Sequence, residues 1–174
     1  MTRDPDAKQS PGLVSPHDAT PAAGFKLRRY RLSDEDAAIA LWLRTWQAAY
    51  PQLDFAARLD WWRARWRDEI APHAEIAIAQ IERFGETKVV GLVTIDPRTG
   101  YLDQLVVAPE CWGSGVGAAL LEEAKRVCPL GFDLDVNTDN SRAIHFYQKH
   151  GFSVTGSGSN PISGQAIYRM NWRP

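Results

Sequence analysis

The segment of this chain best suited to hold a ligand is a turn with three alternating glycines, Gly113, Gly115 and Gly117. The turn lies between a strand-like run that ends at Pro109 and a helical run that begins near Val116. Glycines leave backbone N–H groups unshielded, and a helix start adds unpaired donors and the positive end of the helix dipole. Phosphate oxygens bind well to such a turn, so the segment predicts a site for a phosphorylated cofactor.

The spacing of these glycines excludes two common phosphate-binding loops. The dinucleotide fingerprint is G-x-G-x-x-G, whereas a single residue separates the second and third glycines here. A Walker-type loop needs a lysine followed by serine or threonine, and neither pair follows the turn.

A second segment with residues suited to chemistry follows and runs from Asn137 to Phe152. Within it, Asn140 is a good helix N-cap, and Tyr147 lies on one helical stripe with Ala143 and Ile144. A phenol with an ordinary pKa of about 10 is protonated at neutral pH and can donate a proton to a departing thiolate. Both residues also have structural interpretations, Asn140 as a cap alone and Tyr147 as a core residue.

In this order, the two segments resemble the acyl-CoA-binding core of the GNAT N-acetyltransferase superfamily. The turn in that family reads [Gln/Arg]-x-x-Gly-x-[Gly/Ala], and Trp112 to Gly117 matches it except at the first position. With Trp112 in place of Gln or Arg, one polar side-chain contact to the cofactor is lost, but the backbone donors of the turn remain. The resemblance implies acetyl-CoA as the acyl donor, bound by Leu105, Val106, Val107, Trp112, Gly113, Ser114, Gly115, Val116, Gly117, Ala118, Asn140 and Tyr147.

The resemblance also implies a reaction, in which a primary amine attacks acetyl-CoA directly in a ternary complex. A main-chain N–H around Leu105 to Val107 would stabilise the oxyanion, and Tyr147 would protonate the leaving thiolate. Relatives often carry a carboxylate on this strand, which makes Asp103 the candidate for the general base or for a residue that orients a water. By strand alternation, Asp103 shares a face with Leu105 and Val107.

Other roles for Asp103 and other bases remain open. Asp103 could be purely structural, with Asp96 or a chain of waters as the base. Tyr101 takes the place where some relatives carry a glutamate base. Two rival functions are also open, namely a catalytically silent acyl-CoA-binding regulatory module and a transferase for a different acyl group.

Composition and charge limit the classes of partner that this protein is expected to bind. The net charge of −1 argues against nucleic-acid and membrane partners and slightly favours a small-molecule amine over a protein acceptor. The two cysteines and four histidines show no metal-ligand spacing, so no metal is expected. A signal peptide and an apolar membrane span are not visible, which predicts a cytoplasmic protein. Homodimers are common in the family and are a further expectation.

Periodicity outside the motifs predicts the elements that must position them. Their order is strand, two helices, three strands, helix, strand, helix and two strands. This order predicts an α+β fold, a single domain over 25–174 with a mixed sheet of about seven strands and about four helices, and it resembles the order of elements in the GNAT fold. The resemblance implies strands that splay apart at the acyl-CoA site. Residues 1–24 have almost no large apolar side chains and predict a flexible tail, unless Leu13 and Val14 dock it on the domain.

Several local predictions concern the first two helices and the last loop. Ser33 is the expected N-cap of the first helix, and the second helix is expected over about Asp54 to Glu69. Trp42 with Trp46 and Trp62 with Trp66 stand at i, i+4 spacing, which predicts helix packing. Trp46, Tyr50 or Trp61 could instead line the acceptor pocket. A solvated charged face is expected for Arg58, Arg63, Arg65 and Arg67, and a loop for Gly156 to Gly164.

Overall fold

The computed structural model of this protein describes residues 24–161 and 163–174. The expected tail over residues 1–24 lies outside this part of the chain, apart from Gly24. The strands are β1 (Lys26–Arg29), β2 (Glu75–Arg83), β3 (Glu86–Asp96), β4 (Tyr101–Val107), β5 (Phe132–Asn137), β6 (Ser153–Ser159) and β7 (Ala166–Trp172). The α-helices are α1 (Glu35–Ala49), α2 (Leu59–Arg65), α3 (Val116–Val127) and α4 (Ser141–Lys149). The predicted order and the α+β fold class are confirmed.

One sheet joins these strands in the order β1-β2-β3-β4-β5-β7-β6. The first four strands form an antiparallel meander, and β5, β7 and β6 form a second antiparallel group. The two groups meet where β4 runs parallel to β5, and the aligned residues there are Tyr101 and Asp133 alone. Beyond this pair the two strands separate, which opens a gap in the middle of the sheet.

A β-bulge interrupts the pairing of β4 with β3. Leu102 is aligned with Ile95 and Gln104 with Thr94, so Asp103 is an extra residue on β4. The hydroxyl of the buried Thr94 accepts the N–H of Gln104 at 3.0 Å. Because a bulge breaks the two-residue period, simple alternation along β4 does not hold across Asp103.

Helix α3 packs closely on the meander beside this gap. Its residues Val116 and Leu120 are fully buried and contact the backbone of β3 at Gly91. A Cβ at Gly91 would lie 2.8 Å from a methyl carbon of each of them, so only glycine permits this approach. The close approach sets the height of the α3 N-terminus above the sheet.

Three local predictions are wrong. Helix α1 begins at Glu35, and its preceding turn is held by Asp34 rather than Ser33, because the Asp34 carboxylate accepts the Arg31 N–H at 2.8 Å. The expected helix over 54–69 is a 3₁₀ turn at Ala56–Arg58, the short α2 and a π turn at Trp66–Ile70.

The third correction concerns the expected loop from Gly156 to Gly164, since β6 continues to Ser159 and pairs with β7. This edge strand is exposed throughout, and its glycines and serines give no alternating apolar signal.

Candidate functional site

The glycine turn before α3 is open on the side that faces away from the protein. Gly113 and Gly115 have φ values of +80° and +90°, a left-handed conformation that favours glycine. A Cβ placed on either residue would meet no described atom within 4 Å. Gly115 is the N-cap of α3, so the first N–H groups of the helix point into this open space without intrahelical partners. The turn has the geometry of a phosphate cradle.

The polar side chains of the turn are used within the protein. The Trp112 indole N–H donates to the carbonyl of Val107 at 2.8 Å, and the Ser114 hydroxyl donates to the carbonyl of Cys111 at 2.6 Å. The Arg142 guanidinium covers the indole, with its central carbon 3.3 Å from the ring centroid. The Trp112 side chain therefore has a structural role in the turn, and the backbone N–H groups are the donors left for a ligand.

The β4 backbone supplies further donors toward the gap. Ala108 donates its N–H to Val90 of β3 at 2.8 Å, and Gln104 donates toward Thr94 on the same side. Because N–H directions alternate along a strand, that of Val106 points to β3 and those of Leu105 and Val107 point toward β5. The strands are separated at this level, so the last two groups face the gap.

Helix α4 forms the opposite wall with the two residues that the motif predicts. The Asn140 side chain accepts the Ala143 N–H at 3.1 Å, which confirms the predicted cap. Tyr147 is 8% exposed and packs between the rings of Phe146 and Phe152. Burial, with a smaller contribution from Tyr101, raises the pKa of the Tyr147 phenol above its ordinary value. Asn140 and Tyr147 both line the cavity that continues from the gap.

This cavity has a volume of about 370 Å³ and lies between α1, α2, the facing ends of β4 and β5, and the segment after β6. One wall is aromatic and consists of Trp42, Trp46, Tyr50, Phe55, Trp61 and Trp62. Trp42 and Trp62 stack with ring centroids 4.4 Å apart, and Trp66 is fully buried behind them, which confirms the predicted packing. Trp46, Tyr50 and Trp61 line the cavity as well, and Trp61 is 42% exposed at its mouth.

Two carboxylates stand among the described residues that line the cavity, Asp103 and Asp135. Arg65 binds Asp103 through two hydrogen bonds of 3.0 and 2.5 Å. Arg65 is thus a cavity residue with a side chain 18% exposed, and its assignment to a solvated face is wrong. Asp96 lies outside the lining, and Arg98 lowers its pKa to about 2, so Asp96 is a weak proton acceptor.

A hydrogen-bond network that the sequence motifs do not indicate closes the cavity beside α4. The Tyr50 hydroxyl donates to Asp139 at 3.0 Å and accepts from the Asn137 amide at 3.1 Å. The same amide donates to Gln165 at 2.9 Å. The network connects the end of α1 to β5 and to the residue before β7, across 87 residues between Tyr50 and Asn137.

Comparison with known proteins identifies this arrangement. The model of the acetyltransferase (GNAT) family matches residues 35–152, which is more than half of the chain. The chain belongs to the GNAT family. Its relatives include the peptidyl-lysine N-acetyltransferase YjaB of Salmonella typhimurium, 31% identical over 148 residues that cover 84% of this chain and 96% of the relative. The peptidyl-lysine N-acetyltransferase YiaC of Escherichia coli is 25% identical, with 84% and 95% covered.

Solved structures agree with this family. The solution structure of apo YjaB from Escherichia coli covers 86% of this GNAT chain and 98% of its own, with a TM-score of 0.68 and 26% identity. The PaiA N-acetyltransferase from Thermoplasma acidophilum, crystallised with coenzyme A, shares the fold with a TM-score of 0.68 and 18% identity, over 87% of this chain and all of its own. The GNAT chain is therefore an acyltransferase with N-acetyltransferase activity. None of the helices within residues 24–161 and 163–174 is long and apolar enough to cross a membrane.

Proposed function

We propose that this enzyme transfers the acetyl group of acetyl-CoA to the side-chain amine of a lysine in a peptide or protein. The observation that carries the proposal is the gap between β4 and β5, which joins the glycine turn at one end to the aromatic cavity at the other. Both substrates can therefore meet at one point. The acceptor class is supported by the relatives, which are named peptidyl-lysine N-acetyltransferases.

The donor end suits coenzyme A. The open space above Gly113 and Gly115 admits a pyrophosphate to the N–H groups at the start of α3. The Leu105 N–H, which points away from β3, and the Asn140 side chain lie along the route from this turn to the cavity, where a pantetheine arm needs polar partners. Acetyl-CoA brings the activated thioester, and the protein supplies its binding and orientation.

The roles in the reaction follow from what faces the gap. The Leu105 N–H is placed to stabilise the charge that develops on the carbonyl oxygen. Tyr147 is the proton donor for the leaving thiolate, because burial raises its pKa and keeps the phenol protonated through the neutral range. Among the described residues, no side chain hydrogen-bonds the Tyr147 hydroxyl, so its proton is available.

The acceptor end suits a lysine better than the small-molecule amine that the net charge favours. Aromatic rings such as Trp46 and Trp61 can pack along the methylene stem and attract the cationic head. The exposed edge of Trp61 at the mouth leaves room for a polypeptide outside the cavity. The two carboxylates deeper in the cavity are partners for the ammonium group.

The test is to assay a panel of amine acceptors and acyl-CoA donors and to measure the release of the free coenzyme A thiol. We expect release with acetyl-CoA and a lysine peptide, and much less with the same peptide acetylated on its lysine or with polyamines and aminoglycosides. Succinyl-CoA in place of acetyl-CoA checks the acyl group. Binding of acetyl-CoA without turnover on any amine would instead identify a regulatory acyl-CoA-binding module.

A further inference from the structure

The proton that the acceptor ammonium must lose needs an acceptor in the cavity, and the structure distinguishes between the two carboxylates there. Asp103 is the base that the family resemblance implies. Asp103 and Asp135 stand at equivalent places, each two residues beyond the aligned pair Tyr101 and Asp133. They therefore flank the point where the strands separate, one on each strand.

Asp103 is already engaged by its neighbours. Its two oxygens accept two hydrogen bonds from Arg65, at 3.0 and 2.5 Å, and a third from the Gln104 amide at 2.9 Å. A two-pronged guanidinium pair stabilises the ionised carboxylate and occupies the lone pairs that would receive a proton. This contact fits a residue that holds α2 and Trp62 against the sheet better than it fits a base.

Asp135 is held much more loosely. It accepts one hydrogen bond from Arg169 and one from the Tyr101 hydroxyl, each at 3.3 Å, close to the outer limit for such contacts. The Arg169 side chain is 61% exposed, so water screens its charge, whereas the Asp135 side chain is 21% exposed. A carboxylate of this kind keeps lone pairs free while it stays in the cavity.

We propose that Asp135 is the general base of this enzyme and that Asp103 is a positioning residue. The inference rests on the proposed lysine acetylation. Asp135 takes one proton from the acceptor ammonium and releases it to solvent, which frees the nitrogen lone pair. The C–N bond then forms and the C–S bond breaks, with the Tyr147 proton passing to sulfur. The second ammonium proton, lost as the amide forms, restores Tyr147.

The charged and titratable groups around Asp135 affect the pH profile of kcat/KM that tests its role. They are Tyr101 and Asp103 on β4, Arg169 on β7, and more distantly Arg65 on α2 and Tyr147 on α4. Arg169 is the cation in direct contact with Asp135, so its removal takes a positive charge away from this carboxylate. Arg65 has the same relation to Asp103.

The experiment compares Asp135→Asn with Asp103→Asn and with Asp133→Asn, which changes the same strand outside the cavity lining. With a lysine peptide at neutral pH, we expect Asp135→Asn to lower kcat/KM about a hundredfold. The loss should shrink as the pH approaches the amine pKa of about 10.4, where the lysine loses its proton unaided. Asp133→Asn should match the wild type, and Asp103→Asn should mainly raise the KM for the peptide.

A second variant, Arg169→Gln, keeps Asp135 and serves if Asp135→Asn unfolds. It should move the acid limb of the kcat/KM profile to higher pH, whereas Arg65→Gln should leave that limb in place. The reverse pattern, or the hundredfold loss in Asp103→Asn with the pH-dependent recovery, would overturn the assignment. If the wild type binds acetyl-CoA but acetylates no lysine peptide, the proposed function itself fails, which is a separate result.

Discussion

The two ends of the gap between β4 and β5 are constructed from different parts of the chain. At the donor end, the groups available to the proposed coenzyme belong to short continuous segments, the backbone of the glycine turn and the Asn140 side chain at the start of α4. At the acceptor end, they come from side chains of α1, α2, β4, β5 and the segment after β6, which are distant in sequence. The difference teaches that a constant ligand can be served by a local motif, whereas a specific acceptor requires residues brought together by the whole fold.

The largest effect is expected for Tyr147, the proposed proton donor, which lines the cavity where the two ends of the gap meet. The substitution Tyr147→Phe should lower kcat by about 10²–10⁴-fold, the contribution of a general acid, with both KM values nearly unchanged. Burial raises the pKa of the Tyr147 phenol, so the phenol should stay protonated up to about pH 10, the ordinary tyrosine pKa. The kcat of the wild type should therefore not fall between pH 7 and about pH 10. Steady-state kinetics over that range checks both points. Tyr168→Phe, on β7 outside the cavity lining, is the matched control.

A smaller effect, confined to the donor end, is expected for Gly115→Ala. The left-handed φ of +90° costs an alanine about 1–2 kcal/mol, and the new Cβ enters the open space before α3. We expect the KM for acetyl-CoA to rise about tenfold while the KM for the peptide stays constant.

Gly85→Ala is the control for this strain, because Gly85 has a φ of +81°, equally open surroundings and a place in the β2–β3 turn. It should lose the same stability in thermal unfolding without a change in either KM. Equal KM effects in both variants would show that strain, rather than ligand contact, governs the turn.

The smallest effect is expected at the mouth of the acceptor end. Trp61→Ala should raise the KM for a lysine peptide by about three- to tenfold, or about 1 kcal/mol, since one aromatic face is lost from a half-open wall. The KM for acetyl-CoA should not change. Phe84→Ala, which removes an aromatic residue that is 99% exposed in the β2–β3 turn, should alter neither value. A shift in the acetyl-CoA KM of the Trp61 variant would contradict the separation of the two ends.

The same division explains what the sequence could predict. The element order, the cap at Asn140 and the packed tryptophans of the first two helices follow from local spacing, and the structure confirms them. The pairing of Arg65 with Asp103 and the contact of Tyr50 with Asn137 span 38 and 87 residues, and no local pattern encodes either. The location of Asp135 in the cavity could not be predicted from local sequence either, because it depends on where β4 and β5 separate.

The bulge at Asp103 has a consequence for how this chain can change over generations. As the extra residue opposite Thr94 and Ile95, Asp103 bends β4 without shifting either half of the strand relative to β3. Loss of Asp103 would leave Leu102 and Gln104 as consecutive partners of Ile95 and Thr94. Loss of a residue within either half of β4 would instead move part of the strand by one residue and turn its side chains to the opposite face. We therefore expect insertions and deletions in this lineage to avoid β4 and to accumulate in the β2–β3 turn and the segment after β6.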